Sequence, residues 1–437
     1  MSIKNRLDKI SPSFCTLPWI HSTIHLYLGK THSCHHAPAH DISQQEIKDD
    51  PSCLHNTQQK KITRKDALQG IQANDCSYCW NIENVGGISD RLFKNNDPYA
   101  EKYIDKISNV DNVNPTYLEI SFSNKCNFRC GYCYPQVSSK WLDEIKEHGQ
   151  YELSSNSLQH YNIDFIKNYN FYDNEENPYI DAFWKWFPTL INNLEILRIT
   201  GGEPLLHSST FTLLKMLEDR PKSKLTISIN SNLGVTNRRI KRLCSTVAQL
   251  KENKKIKRFR LFTSIDSWGK KAEYMRHGLD IILWEKNLRT VLSAGFEVML
   301  MCTYNALAVS SFTSLLEKIV EWRKEYGFDS IRFDAPYLRT PEFWAINILP
   351  SDFDIFIKDS IKFIENNKTY FRDDEYDRMK RLLTYKQEYP FTQTELMIYK
   401  KDFYTFFTTN DKRLDTSFSD TFPEYQSFLD TCKKGDI

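Results

Sequence analysis

Six apolar runs rich in β-branched residues follow one another from about residue 115, and a stretch with helical periodicity follows each run. The runs cover residues 117–122, 194–200, 225–230, 259–265, 297–303 and 330–335. Near-continuous apolar strands that alternate with helices are typical of a parallel sheet covered by helices. Six strand–helix units therefore predict an α/β fold, a partial TIM barrel of the (β/α)6 type, with its chemistry at the C-terminal ends of the strands.

The regions on either side of these units have a different character. Residues 1–110 are rich in cysteine and histidine and contain few long periodic segments. We expect them to form a separate Cys/His-rich module before a barrel at 111–345, and we expect 346–437 to form a helical C-terminal region. A polar stretch at 149–178, rich in Asn, Tyr and Ser, is interpreted as a surface excursion, with a cap over the barrel mouth as the alternative.

The composition allows a packed core and favours no strongly charged partner. Of the 437 residues, 40% are hydrophobic and 14% aromatic, which argues against wholesale disorder. The net charge of +2, from 58 basic and 56 acidic residues, gives no electrostatic case for nucleic acid or a membrane. We find no signal-peptide core and no apolar run that would span a bilayer. We therefore expect a cytoplasmic protein whose eleven cysteines are metal ligands or free thiols.

Three cysteines follow the first predicted strand at the spacing C-x3-C-x2-C, namely Cys126, Cys130 and Cys133. Three thiolates on one loop suit three irons of a cubane iron–sulfur cluster and leave the fourth iron without a protein ligand. The alternatives are a zinc site, which usually needs a fourth Cys or His nearby, and three buried thiols.

Polar residues and glycines also stand where the next predicted strands end. Glycine allows a backbone to come close to a ligand, and side chains two residues apart on a strand point to the same face. The residues are Gly201, Gly202, Glu203 and Pro204 after the second strand, Asn230 and Asn232 at the third, Ser264 and Asp266 at the fourth, with Arg276 further on, and Asn305 at the fifth.

Together these motifs resemble the radical S-adenosylmethionine (SAM) superfamily, whose signature C-x3-C-x-aromatic-C is matched with Tyr132 in the aromatic place. The resemblance implies a [4Fe–4S] cluster on the three cysteines, with SAM bound to the open iron through its amino and carboxylate groups. It also implies a one-electron donor such as flavodoxin or ferredoxin. Reductive cleavage of SAM would then give a 5′-deoxyadenosyl radical that abstracts hydrogen from a substrate.

The same resemblance assigns roles at the strand ends. The Gly201–Gly202–Glu203 segment would contact the amino group of SAM, and Arg276 would meet its carboxylate. Ser264 and Asp266 would bind ribose hydroxyls or the carboxylate, and the backbone near Asn305 would contact adenine. The other candidates for cofactor contacts are Tyr132, Pro204, Asn230 and Asn232.

A second constellation lies upstream, in Cys15, Cys34, Cys76 and Cys79. A predicted hairpin around Gly29 would bring the first two together, and the last two form a C-x2-C pair. This pattern is similar to the twitch module, a half-length SPASM module that holds an auxiliary iron–sulfur cluster. Such modules usually follow the barrel, whereas these cysteines precede it, and a zinc site from the same four residues is the alternative.

The substrate is expected to be a peptide, a protein side chain or a small polar molecule. A nucleoside- or RNA-modifying radical SAM enzyme is the second hypothesis, although nucleic acid is not favoured by the charge. A non-catalytic zinc or iron–sulfur binding protein is the third. The sequence singles out no residue that reacts with the substrate.

Overall fold

The computed structural model describes residues 2–107, 112–155, 161–162, 167, 169–172, 176–221 and 224–434. Within these ranges the strands are β1 His21–His25, β2 Lys30–His32, β3 His40–Asp41, β4 Tyr117–Ser121, β5 Arg129–Cys130, β6 Ile196–Thr200, β7 Thr226–Ser231, β8 Arg258–Ser264, β9 Arg276–His277, β10 Glu297–Met301 and β11 Ile331–Asp334. The helices of the first half are α1 Ile3–Asp8, α2 Leu17–Ile20, α3 Gln44–Asp49, α4 Gln58–Gln69, α5 Ser77–Asn84, α6 Asp90–Asn95, α7 Pro98–Glu101, α8 Ser139–His148 and α9 Pro178–Leu190. Those of the second half are α10 Ser208–Met216, α11 Asn237–Glu252, α12 Lys270–Met275, α13 Ile281–Ser293, α14 Phe312–Tyr326, α15 Asp354–Asn366, α16 Asp373–Glu388, α17 Gln393–Leu414, α18 Phe418–Thr421 and α19 Gln426–Lys434.

The six predicted strands form one continuous parallel array in the order β11-β10-β8-β7-β6-β4. Their bounds differ from the predicted ones by two residues or fewer at each end, and the prediction of a partial barrel is confirmed. The carboxyl ends of these strands lie together, because parallel neighbours in register share one edge of the sheet. The loops that follow β4, β6, β7 and β8 therefore meet at one rim.

The strands are not the near-continuous apolar runs that the sequence suggested. In β4, Leu118 and Ile120 are fully buried and pack into the main core, whereas the alternate residues Tyr117 and Glu119 are partly exposed. The same alternation occurs in β6, β8 and β10. A sheet with period-two alternation has one face in the core and one that meets solvent or a ligand. Here the apolar face packs against the helices and the polar face lines the inside of the barrel.

The N-terminal hairpin extends the barrel sheet. Strands β1 and β2 pair antiparallel, and β1 also pairs parallel with β4, from His21 opposite Tyr117 to His25 opposite Ser121. Gly29 makes the turn after β1 with a positive φ of 62°. A Cβ there would lie 2.5 Å from Cε2 of Tyr179 on α9. The cysteine-rich module thus joins the barrel by adding a strand beside β4, which the sequence did not indicate. The expected domain boundaries stay a prediction.

The stretch at 149–178 is partly buried, so its interpretation as a surface excursion is wrong for the described residues. Tyr151 and Tyr161 are 1% exposed and pack against Trp141 of α8 and Phe406 of α17. Residues 156–160, 163–166, 168 and 173–175 of this stretch lie outside the described residues. Among helices in the described ranges, none combines the length and apolar character required to cross a bilayer.

Candidate cluster and SAM site

The triad cysteines lie on the loop that follows β4, and several elements hold that loop. Cys130 belongs to β5, which pairs with β9 so that Cys130 stands opposite Arg276. The Gly131 amide donates to the carbonyl of Met275 at 2.8 Å, and Nε1 of Trp141 donates to the carbonyl of Cys130 at 2.8 Å. The loop is therefore shaped by α8, β9 and the chain before it as well as by its own spacing.

Burial acts on all three thiols, and neighbouring thiols of the triad act on Cys126 and Cys133. Burial, followed by the nearby Cys130 thiol, raises the pKa of Cys126 to about 12. Burial also raises the pKa values of Cys130 and Cys133, and Cys133 is affected next by Cys130 and Cys126. A bound cationic metal centre would supply the charge that keeps such buried thiols as thiolates.

Hydrogen-bond donors approach two of the sulfur atoms. The Phe128 amide lies 3.4 Å from Sγ of Cys126, and Nδ2 of Asn232 lies 3.7 Å from the same atom. Nη1 of Arg276 donates to Sγ of Cys130 at 3.4 Å. Such donors stabilise the negative charge on cluster sulfurs. The donor set therefore fits the [4Fe–4S] cluster that the motif implies.

The glycine pair after β6 lets two backbones meet. The Gly202 amide donates to the carbonyl of Ser123 at 3.1 Å, and the Glu203 amide donates to that of Lys125 at 2.8 Å. A Cβ on Gly201 would lie 2.6 Å from the Ser123 oxygen, and one on Gly202 would overlap the oxygens of Asn124 and Lys125. The glycines are needed because the segment lies directly on the cysteine loop.

Glu203 is buried, and its carboxylate is occupied within the protein. It accepts from the Leu205 amide at 3.0 Å, from Oγ of Ser231 at 2.9 Å and from the Asn232 amide at 2.6 Å. Burial raises the pKa of Glu203 to about 7, and these three donors oppose the shift. In this structure the side chain holds the end of β7 beside the cysteine loop, and the backbone of the Gly201–Gly202 pair is what faces that loop.

Asp266, Arg276 and Tyr132 form a buried cluster beside Cys130. Arg276 donates to Asp266 through Nε at 2.9 Å and Nη2 at 3.0 Å, and the Tyr132 hydroxyl donates to Oδ2 of Asp266 at 2.5 Å. The Thr303 amide donates to Oδ1 of Asp266 at 2.8 Å. Asp266 and Arg276, each predicted to contact SAM, are thus each other's partners and link the ends of β8, β9 and β10.

The other predicted cofactor residues have varied surroundings. Asn232 donates to Oδ1 of Asn127 at 2.9 Å and braces the cysteine loop. Asn230 faces the barrel interior, where its Oδ1 accepts from Nε of Arg198 at 3.0 Å. Asn305 closes its own turn by accepting from the Leu307 amide at 3.0 Å. Ser264 ends β8 at the same rim, and Pro204 begins the turn that precedes α10.

The four upstream cysteines surround one cavity, which Cys15, Cys34, Cys76 and Cys79 all line. Burial raises the pKa of Cys15 to about 12 and also raises that of Cys76, on which the other three thiols act next. Nδ2 of Asn95 donates to Sγ of Cys15 at 3.2 Å. Across the described ranges, no three His, Cys, Asp or Glu side chains are grouped as ligands of a single metal ion. In a cubane cluster, by contrast, each cysteine binds a different iron.

Several residues around the site were not foreseen. Trp344 lies against Gly131, where a Cβ would be 2.7 Å from its Cη2, and the Tyr161 hydroxyl donates to the Gly131 carbonyl at 2.7 Å. No local pattern marks these distant residues. Glu119 and Arg198, on the inner face of β4 and β6, were also missed. The alternation of polar and apolar residues in those strands would have revealed them.

Comparisons with known proteins agree with this geometry. Residues 120–322 match the family model described as Radical SAM superfamily. The GTP 3′,8-cyclase of Campylobacter jejuni subsp. doylei is 29% identical over 116 residues, which is 26% of this chain and 27% of that protein. The GTP 3′,8-cyclase of Sulfurimonas denitrificans is 26% identical over 219 residues, which is 50% of this chain and 54% of that protein. The chain thus spans between about a quarter and about half of the length of these curated relatives.

Two solved structures are also similar. The native anSMEcpe with bound AdoMet shares 15% identity at a TM-score of 0.36, covering 57% of this chain and 61% of that one. Streptococcus suis SuiB bound to S-adenosylmethionine shares 14% identity at a TM-score of 0.35, covering 81% and 70%. Scores this low carry no argument about function. The match of residues 120–322 to the Radical SAM superfamily model agrees with the predicted enzyme class and with its cofactors, SAM and a [4Fe–4S] cluster.

Proposed function

We propose that the whole chain is a radical SAM enzyme that abstracts hydrogen from a small polar substrate inside its barrel. The observation that carries the proposal is the convergence of the cysteine triad with the Gly201–Gly202 segment and the Asp266–Arg276 pair at one rim. When bound there, the cluster would supply the electron that cleaves SAM into methionine and a 5′-deoxyadenosyl radical.

The residues around the triad have separable tasks. Asn232 and Arg276 donate toward the sulfur atoms, and so stabilise their charge. Trp344 and Tyr161 cover the loop at Gly131, which helps to keep water from the reactive site. The backbone of Gly201 and Gly202 packs directly on the cysteine loop and holds it in place.

We also propose that the upstream quartet binds an auxiliary iron–sulfur cluster in the manner of a twitch module. Support comes from the shared cavity of the four cysteines and from the hydrogen bond that Asn95 gives to Cys15. The hairpin places this cavity at the far end of β4 from the triad. Thr23 pairs with His32 and His21 with Tyr117, so Cys34, two residues after His32, lies near the start of β4.

The central test is SAM cleavage by the anaerobically reconstituted protein. With dithionite as the electron donor, or with flavodoxin or ferredoxin, 5′-deoxyadenosine should accumulate. Protein that binds the expected iron and SAM but forms no 5′-deoxyadenosine would contradict the proposal.

Metal analysis separates the auxiliary cluster from the zinc alternative. A chain with two [4Fe–4S] clusters holds about eight irons, and Cys76→Ala with Cys79→Ala should lower this to about four. A wild-type ratio of about four irons to one zinc would instead assign zinc to the quartet.

A second candidate function is nucleotide chemistry. The curated relatives are named GTP 3′,8-cyclase, and the barrel interior is polar rather than apolar. Stimulation of SAM cleavage by a nucleotide, and not by a peptide, would favour it. An RNA substrate would add a steep loss of activity with rising salt.

A further inference from the structure

The inner face of β1 and β4 carries buried polar atoms without hydrogen-bond partners. Within the part of the chain that the structure describes, these are Nδ1 of His21, Oγ1 of Thr23, Nδ1 of His25 and Oε2 of Glu119. His21 and Thr23 are only 6% and 2% exposed. Buried polar atoms nearly always have partners, because leaving them without one costs free energy. Four such atoms on two paired strands point to a ligand that supplies the partners.

The register shows that these atoms share one wall. Thr23 stands opposite Glu119, and Glu119 stands opposite Arg198. Residues paired across a sheet project from the same face. Nε of Arg198 lies 3.9 Å from Oε2 of Glu119, which is beyond hydrogen-bond distance, and reaches Asn230 on β7 instead. Oγ1 of Thr200 donates to Oε1 of Glu119 at 3.3 Å. The atoms without hydrogen-bond partners therefore continue the polar lining of the barrel onto the added strand.

This wall runs between the two cysteine sites. At one end His21 meets His35 edge to face, with the ring centroids 5.2 Å apart, and His35 directly follows Cys34. At the other end His25 pairs with Ser121, five residues before Cys126. A strand rises about 3.3 Å per residue, so the wall from His21 to His25 is about 13 Å long. A molecule of that length would lie with one end toward each site.

The chemistry of the wall narrows the class of ligand. Burial lowers the pKa of His25 to about 4, so at neutral pH its ring is uncharged and has one donor and one acceptor nitrogen. Glu119 offers an acceptor, and Thr23 offers both roles. The ring of Tyr117 stacks on His21 at 4.2 Å between centroids. Mixed donors and acceptors with little net charge match a heterocycle that carries N–H groups together with sugar hydroxyls.

We propose that β1 gives the barrel a substrate-binding wall, formed by His21, Thr23, His25 and Glu119, that binds a nucleoside or nucleotide. The N–H groups of the base would donate to Glu119, and the ribose hydroxyls would pair with Thr23 and the histidines. This inference rests on the proposed function, since it places the substrate beside the radical that SAM would provide.

The test is binding by the reconstituted full-length protein with SAM present. Equilibrium dialysis would use the four ribonucleosides and their 5′-triphosphates, with a neutral Gly/Ser dodecapeptide for comparison. At least one nucleoside or triphosphate should bind. Thr23→Val and Glu119→Gln keep the side-chain shapes, and each should weaken that binding about five- to tenfold, as expected for one lost hydrogen bond.

Thr263→Val is a matched control. Thr263 is also a buried strand residue whose hydroxyl has no partner among the described residues, but it lies on the opposite, helix-facing side of the sheet. Its substitution should leave binding unchanged. The proposal is overturned if none of the eight probes binds, if only the peptide binds, or if Thr23→Val and Thr263→Val behave alike.

A second readout separates this proposal from the one on which it rests. Formation of 5′-deoxyadenosine without substrate depends on the triad and SAM, and it is measured on the same samples. Nucleoside binding without SAM cleavage would contradict the radical SAM function but would still support the substrate-binding wall. SAM cleavage without nucleoside binding would support the radical SAM function and contradict the substrate-binding wall. If Glu119→Gln fails to fold, the binding measured for the near-isosteric Thr23→Val still tests the proposal.

Discussion

The triad loop and the upstream quartet are both sets of buried thiols, but they are assembled in opposite ways. The triad comes from one short loop, and Asn232, directly after β7, and Arg276 of β9 donate to its sulfur atoms. The quartet comes from residues spread between Cys15 and Cys79, and Asn95 on α6 donates to Cys15. The triad is thus local in sequence and braced from a distance, whereas the quartet is distant in sequence and depends on the fold of its own module.

This difference separates their functions. The triad lies at the strand-end rim with the glycine pair and the Asp266–Arg276 pair. The quartet lies near the beginning of β4, behind the hairpin that extends the sheet. If the comparison is right, damage at one site should leave the other intact.

The largest expected effect comes from removing either set of thiols. Replacing Cys126, Cys130 and Cys133 by Ala should lower 5′-deoxyadenosine formation by more than about a thousandfold, because no iron is left for SAM. Cys76→Ala with Cys79→Ala should remove the proposed auxiliary metal centre while SAM is still cleaved. Iron content and 5′-deoxyadenosine, measured on the same samples, check both results. Equal loss of SAM cleavage in the two variants would show that the sites are not separable.

The Asp266–Arg276 pair should be the most costly contact to break at the rim. Asp266 is fully buried, and Asp266→Asn would leave the Arg276 charge without its counter-ion, at a cost of about 3–5 kcal/mol of unfolding free energy. Asp41→Asn is the matched control. Asp41 is 83% exposed in its pair with Lys30, and such pairs contribute about 0–1 kcal/mol. Urea unfolding of both variants measures the difference, and similar losses would contradict it.

The glycine pair beside the triad tests whether close backbone contact matters for SAM binding. In Gly202→Ala the new Cβ would overlap the carbonyl oxygens of Asn124 and Lys125, so we expect a loss of about 1–3 kcal/mol and weaker SAM binding. Gly149→Ala is the control, because a Cβ there meets nothing within 4 Å and only its φ of 77° is unfavourable. SAM affinity by equilibrium dialysis should fall for the first variant alone. If both variants bind SAM as wild type does, close backbone contact is not what the glycine provides.

How much of the fold and of the site could be predicted depends on how far apart in the sequence the contacting residues are. The six strands and their rim follow from local alternation and from the order of strands and helices. The inner polar face was missed, because strands such as Tyr117–Ser121 were interpreted as apolar throughout. The pairing of β1 with β4 joins segments almost a hundred residues apart, and no local pattern encodes such a pairing. Asp266 and Arg276 were found, but their contact with each other depends on how β8 and β9 meet.

The smallest effect concerns the pH dependence of stability, where the two regions should have opposite signs. Burial raises the pKa of Glu203, at the triad, to about 7. The folded state then binds more protons than the unfolded state between about pH 4.5 and pH 7, so stability falls as the pH rises through this window. Burial lowers the pKa of His25, in the N-terminal module, to about 4. Its contribution is present above about pH 6.5 and is lost as the pH falls toward 4.

One substitution can isolate the contribution of Glu203 to the pH dependence of stability. Between about pH 6 and about pH 8, Glu203 should lower the unfolding free energy by about 1 kcal/mol, since one pKa unit of its shift lies in that range. Glu203→Gln cannot ionise, so its stability should lack this decline, although an amide facing the Asn232 N–H makes it less stable throughout. Infrared spectra should show a protonated carboxyl band that titrates near pH 7 in the wild type and is absent from the variant. The same decline with pH in both proteins would assign it to other groups and remove Glu203 from the contrast.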